Sequence, residues 1–405
     1  MRSTAPRGPG DTPIPRPYSS HRKPQSGSTS HPAPISQSRQ PVLPVADGGH
    51  DPRWAWVIAE TLTGPEHPTI VLDGIRPRAL TRLNNSSVAS SGAAARLLDP
   101  LIQLCTSTGS AQDKLFPLPD GHTLRLIGLP IPGPTGYVHA VALWVGARTD
   151  TMPPPPAVGA IEWTPAGIAQ GTAAAHFLLR MSYGDLPNIH TVPEMLAGFD
   201  PWHDRAGFLA LFNLMSPTNQ WIGTATKTYE DGAPRQLQIA ARGEGIGTNR
   251  TVRAIVTDIT GLDTPAVPDL CSIAVRHMPI PPGHALGLVD LKTGFIHEWL
   301  TDPRSPLAGW RHHNPQFDEH GRIDATTTVF ALANGTLRET ETNVRMRFDP
   351  DDPWISLRTR WRRISDGERP QAIIDVEPTS SVPRLAVSKC RICQDISAAS
   401  TQGTE

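Results

Sequence analysis

Alternating hydrophobic and polar residues occur three times in this chain, each time as two strand-like segments joined by a turn. The three copies lie at 122–146, 236–260 and 355–377. Alternation with a period of two predicts strands that face a core on one side. The copies are separated by the length of a whole domain, far above the roughly 20–50 residues of a solenoid repeat. The pattern therefore predicts tandem domains.

Each strand pair follows shorter segments with their own periodicity. In the first module, 51–62 has apolar residues at helical spacing and predicts a helix, and 93–107 predicts another. In the second module, 171–184 and 204–215 predict helices.

In the third module, 285–300 predicts a hairpin around Lys-Thr-Gly, and a polar stretch follows at 301–322. Residues 326–348 then predict a run of antiparallel strands with an Asn-Gly turn.

The order of these segments predicts an α+β fold of three tandem domains. Each domain would be an antiparallel sheet with short helices on one face. Proline-rich stretches separate the modules, so the predicted boundaries are 51–150, 158–263 and 268–378.

The ends of the chain have a different composition. Residues 1–50 contain ten prolines and one aromatic residue, Tyr18, which predicts a disordered tail. Residues 379–405 predict a second flexible tail. The N-terminus lacks the apolar core of a signal peptide, and no apolar stretch is long enough for a transmembrane segment. We therefore expect a cytoplasmic protein.

Cys390 and Cys393 form a CxxC in the second tail. A zinc ion needs four ligands, and no second pair lies nearby in the sequence. The pattern favours free thiols, and an intermolecular zinc or redox site is the alternative.

Parts of the second and third modules resemble PAS domains. Residues 221–260, which end in Asp258-Ile259-Thr260, resemble the C-terminal half of such a domain. Residues 285–299 resemble its opening hairpin, and 371–377 resemble its closing strand. The first module is GAF-like or divergent PAS-like.

The whole chain resembles an actinobacterial, mycobacterial-type family with three PAS/GAF-like domains and no output domain. The resemblance implies signal sensing through a small ligand or a protein partner, with homodimerisation common. The output function would then reside in an unidentified partner protein. Neither the ligand nor a cofactor is identified by the sequence.

Four residues are candidates for lining a ligand pocket: Trp163, His176, Trp221 and Trp310. Tryptophan buries a large area and usually anchors a core, so the core interpretation competes at each tryptophan. The histidine candidacy comes from the resemblance, because some PAS domains hold haem through a helix histidine. A core or surface histidine is the alternative.

Arg358, Arg360 and Arg362 alternate along one predicted strand. They are candidates for docking an acidic partner, and a solvated sheet face is the alternative. Nucleic acid is not expected as a partner, because the net charge is −1 and no recognition helix accompanies the arginines.

No nucleophile elbow, phosphate-binding loop or kinase signature occurs in the sequence. We therefore expect a sensor or scaffold rather than an enzyme. Two alternatives remain open at this point. One is an enzyme of unrecognised type built on one α+β module, and the other is a structural interaction protein whose modules are completely filled.

Overall fold

The computed structural model describes residues 56–89, 92–118, 121–180, 189–197, 199, 204–229, 232–261, 281, 283–301, 306–311 and 313–379. These residues form three tandem domains, each built on one six-stranded antiparallel sheet. Helices are few, so the fold is mostly β rather than the balanced α+β fold predicted above. The N-terminal tail, Cys390 and Cys393 lie outside the described residues.

The first domain has one long helix and a sheet of order β3-β2-β1-β6-β5-β4. Its elements in chain order are β1 (Trp56–Glu60), β2 (Thr69–Asp73), β3 (Arg76–Arg82), α1 (Gly92–Thr108), β4 (Gln112–Pro117), β5 (Thr123–Pro132) and β6 (Val138–Ala147).

In the parts that the structure describes, the second domain has three short α-helices and a sheet of order β9-β8-β7-β12-β11-β10. Its elements are β7 (Val158–Trp163), β8 (Ile168–Gly171), α2 (Ala173–Leu179), β9 (Ile189–Thr191), α3 (Val192–Ala197), α4 (Arg205–Ala210), β10 (Thr218–Thr228), β11 (Pro234–Glu244) and β12 (Thr251–Asp258).

Within its described residues, the third domain has one α-helix and a sheet of order β14-β13-β18-β17-β16-β15. Its elements are β13 (Ala285–Asp290), β14 (Phe295–Trp299), β15 (Gln316–Phe317), α5 (Glu319–Ala333), β16 (Glu339–Arg347), β17 (Ile355–Arg363) and β18 (Gln371–Pro378).

The three repeated strand pairs are neighbours in their sheets. β5 pairs with β6, β11 with β12 and β17 with β18, all antiparallel. In each domain the last strand also pairs with the first strand, so these two strands are neighbours in the middle of the sheet. This common topology explains the repeat in the sequence.

The first two sheets pack face to face. On β1, Trp56 and Ile58 join an apolar cluster with Ala240 and Ile255 of the second sheet. The alternate residues on β1 pack instead against α1. Both faces of β1, a central strand of the first sheet, are therefore buried.

Charged groups cross this interface. Glu60 is fully buried and accepts hydrogen bonds from Arg242 Nε at 3.0 Å and Nη2 at 2.6 Å. His139 Nε2 lies 2.9 Å from Glu162 Oε1. Burial alone would raise the pKa of Glu162, but the hydrogen bonds from His139 and Thr135, together with the charges of His139 and Arg253, lower it.

The helix predicted over 51–62 is wrong where the structure describes it, since Trp56–Glu60 is strand β1. Every residue of this strand is buried. A strand buried on both faces has a continuous apolar run instead of alternation, so its periodicity does not distinguish it from a helix.

The opposite error occurs in the third domain. The run of antiparallel strands predicted from residue 326 onward is wrong over 326–333, since these residues belong to α5. Asp318 caps this helix by accepting a hydrogen bond from the Gly321 amide at 2.8 Å. Tertiary packing has overridden β-propensity here.

The two helices predicted in the second domain are present but shorter than expected. α2 ends at Leu179, where Arg180 has a φ of 47°. α4 ends at Ala210. In the described parts of the chain, no helix has the length and apolar character needed to cross a membrane.

We expect Arg242→Met to lower the free energy of unfolding by about 3 kcal/mol, because the buried Glu60 carboxylate would lose its counter-charge. Adding Glu60→Gln should recover part of that loss. Urea unfolding followed by circular dichroism measures both effects.

Arg360→Met is the matched control, because Arg360 pairs with Glu341 at the surface, where both side chains are about half exposed. It should cost less than about 1 kcal/mol. Equal losses in Arg242→Met and Arg360→Met would contradict the importance of the buried pair.

Candidate functional site

A cavity of about 400 Å³ lies inside the third domain, between α5 and the inner face of its sheet. Its walls are mostly apolar, and it falls in the size range of small-molecule pockets. The sheet contributes Ile296, Val344, Thr359, Trp361 and Ile374. The helix contributes Arg322, Ala325, Thr326 and Val329. Strands β14 and β15 also contribute Phe295 and Phe317, and the connecting segments contribute Thr293, Gly294, Trp310, Asn314 and Pro315.

The second domain supplies one wall of this cavity, through Ala166, Gly167, Val192 and Pro193. Asn314 Nδ2 donates a hydrogen bond to the Ala166 carbonyl and so fixes this wall to the third domain. Gly167 has a φ of +75°, and a Cβ at this position would lie 3.2 Å from the Phe295 ring. The turn between β7 and β8 therefore requires glycine where it approaches the cavity.

The inner polar groups of the cavity are paired with one another. Thr359 Oγ1 lies 2.6 Å from Thr342 Oγ1. The Trp361 indole donates to Thr359 Oγ1 at 2.9 Å. Since these groups satisfy each other, the innermost surface offers a ligand mainly apolar contact.

A buried polar network joins the second and third domains beside the cavity. Arg369 Nη2 donates to Asp290 Oδ2 at 2.8 Å and to the Leu209 carbonyl of α4 at 2.6 Å. Asp290 is fully buried and also accepts a hydrogen bond from the amide of Thr293, which lines the cavity. The network thus links a cavity wall to a helix of the second domain.

His297 lies in the same network. Gln371 Nε2 donates to Asp290 Oδ1 at 3.0 Å, which leaves Gln371 Oε1 to accept from His297 Nε2 at 2.9 Å. His297 Nδ1 faces Arg205 Nη1 at 3.5 Å. This pattern assigns a neutral imidazole with its proton on Nε2. Burial, assisted by the charge of Arg205, lowers the pKa of His297 to about 4.

Of the four sequence-predicted pocket residues, Trp310 lines the cavity. Trp163 and Trp221 lie in the core of the second domain, where both contact Phe208 edge to face. His176 is buried in the same domain with its ring 5.3 Å from that of His190. Burial and the neighbouring His190 lower the pKa of His176.

The aromatic core of the second domain nevertheless reaches the cavity. Trp163 contacts Phe212 with ring centroids 6.2 Å apart. Phe212 contacts Phe295 of the third domain at 5.5 Å. Phe295 lines the cavity, so one chain of aromatic contacts connects the two domains.

The three candidate docking arginines lie on the outer face of the third sheet. Arg358 and Arg360 form ion pairs with Glu377 and Glu341. Arg362 is exposed on the same strand. The docking role of these arginines stays a prediction.

Several cavity residues were not identified from the sequence. The wall from the second domain is made by a turn and by the start of α3, which show no binding motif. Trp361 alternates with the candidate arginines along β17, and this alternation places its side chain on the inner face of the sheet. Arg322 is the last residue of the polar stretch 301–322, which shows no binding motif.

The first domain matches a known protein family. Residues 55–155 match the family described as Rv3651-like, N-terminal. The chain is similar to a crystal structure of an uncharacterized protein from Mycobacterium tuberculosis, with 20% identity and a TM-score of 0.63. That match covers 81% of this chain and 97% of the other. Both findings agree with the mycobacterial-type resemblance, and the second shows a shared fold.

Other solved structures are more distant. A sensory box histidine kinase/response regulator from Burkholderia thailandensis matches with 18% identity and a TM-score of 0.20, over 26% of this chain and 78% of the other. An RNA-binding light-oxygen-voltage receptor matches with 12% identity and a TM-score of 0.22, over 55% and 95%. Scores this low support no inference. No curated protein matches the chain.

We expect the pH dependence of stability to depend on His297. Its folded-state pKa is lower than its ordinary value of 6.5, so the unfolded chain binds more protons between about pH 4 and 6.5. Neutral His297 makes its full contribution to stability above pH 6.5. As the pH falls through this window, the free energy of unfolding decreases by roughly 3 kcal/mol. Urea unfolding at several pH values measures the loss.

His297→Gln should show a smaller loss of stability over the same window, because glutamine does not titrate. His67→Gln is the control, since His67 is exposed and should leave the wild-type profile unchanged. Identical profiles for wild type and His297→Gln would contradict the assignment.

Proposed function

We propose that this protein is a sensor or scaffold of three tandem PAS/GAF-like domains. A small ligand binds in the cavity of the third domain, and the signal passes to an output function carried by a separate partner protein. The observation that carries the proposal is the cavity itself, which is mostly apolar and has one wall from the neighbouring domain.

The shared wall gives ligand binding a physical route to the rest of the molecule. A ligand can shift an equilibrium only through contacts that differ between two states. Gly167 and Val192 of the second domain would contact any molecule that fills the cavity. Occupancy therefore favours one packing of the second domain against the third, and the Asp290 network and the Phe212–Phe295 contact lie along that boundary.

The character of the cavity supports ligand binding over the two alternatives. An enzyme requires convergent groups for acid–base or nucleophilic chemistry. Among the described residues that line the cavity, Arg322 has the only ionisable side chain. A structural interaction protein with filled modules predicts no such cavity.

An apolar probe tests the proposal directly. Adding 1-decanol should raise the melting temperature of the wild-type protein in a thermal-shift assay, because a ligand that binds the folded state stabilises it by mass action. Val329→Trp places a large side chain in the cavity and should abolish that increase.

Thr327→Trp is the matched control, because Thr327 is exposed on the same helix and does not line the cavity. It should retain the wild-type response. Circular dichroism of each variant without the probe shows whether it is folded. A response of folded Val329→Trp equal to that of wild type would contradict binding in this cavity.

The absorption spectrum of freshly purified protein would also reveal a coloured cofactor.

A further inference from the structure

The charge of the cavity lining limits what kind of molecule it accepts. Within the part of the lining that the structure describes, Arg322 alone carries a formal charge, and no residue is acidic. The cavity therefore presents one positive charge beside a mostly apolar volume of about 400 Å³.

The inner hydrogen-bonding groups are already engaged within the protein. Thr359 and Trp361 bond to each other, and Thr342 completes this group. The half-buried Thr293 hydroxyl donates to Asp290, and Asn314, which is exposed, donates to the Ala166 carbonyl. A ligand that placed polar groups here would lose their hydration without gaining partners, which costs free energy. The buried part of the ligand should be apolar.

Arg322 is placed differently from these inner groups. It lies on the first turns of α5, and its side chain is exposed. Among the described residues it forms no ion pair, although Asp318 and Glu319 lie on the preceding turn of the chain. The Asp318 carboxylate instead accepts the Gly321 amide. The guanidinium is thus available to a group entering the cavity.

We infer that the cavity binds an apolar molecule with a single carboxylate, whose head pairs with Arg322 while its body lies against Trp310, Phe317 and Trp361. A guanidinium binds a carboxylate through two parallel hydrogen bonds, and such charge-assisted bonds are stronger than neutral ones. This inference rests on the proposed role of the cavity in ligand binding and adds the chemical class of the ligand.

Two probes of equal chain length test the inference. Isothermal titration calorimetry of the full chain should show decanoate binding about tenfold more tightly than 1-decanol, the difference expected of one charge-assisted pair. Acetate should not bind measurably, because it lacks the apolar body. Arg322→Gln should remove the preference for decanoate and retain the affinity for 1-decanol.

Arg338→Gln is the control, because Arg338 is exposed near the end of α5 and does not line the cavity. It should keep the wild-type preference. Equal affinities of the wild type for decanoate and 1-decanol would overturn this inference and leave the cavity's binding role intact. Absence of binding by both probes would contradict that role as well. An unchanged preference in Arg322→Gln would overturn the assignment of Arg322.

Discussion

The structure depends on how the two faces of each antiparallel sheet are covered. In the first two domains the outer faces cover each other, since Trp56 and Ile58 pack against Ala240 and Ile255. The inner faces are covered by helices. Because these faces are buried, the first two domains form one layered unit and are not independent domains joined only by a linker. The Glu60–Arg242 pair lies within this interface and adds a geometric requirement to an otherwise non-directional contact.

The two faces of the third sheet are covered in a different way. Its outer face carries ion pairs such as Arg360–Glu341 and remains in contact with solvent. Its inner face is covered by α5, which contributes Ala325, Thr326 and Val329 to the lining of the cavity. These side chains are too small to fill the space against Trp361, so a cavity remains. The second domain then covers the open side with Gly167 and Val192.

This arrangement relates the candidate site to the architecture. The cavity belongs to one domain but has a wall from another, and a buried polar network containing Asp290 and His297 lies at the same boundary. A molecule in the cavity would act on the domain boundary directly. A sensor needs no catalytic group for such an effect, because differential contact with two packings is sufficient.

The sequence by itself determined the repeated strand pairs, because each of these strands keeps enough alternation to be recognised. It also predicted the hairpin over 285–300 and the helix over 93–107, whose local patterns agree with their final packing. It could not distinguish β1 from a helix, because burial on both faces removes alternation. Only the tertiary structure decided that Ala166 and Val192 of one domain meet Arg322 and Trp361 of another, since contacts between distant segments leave no periodic signal in either segment.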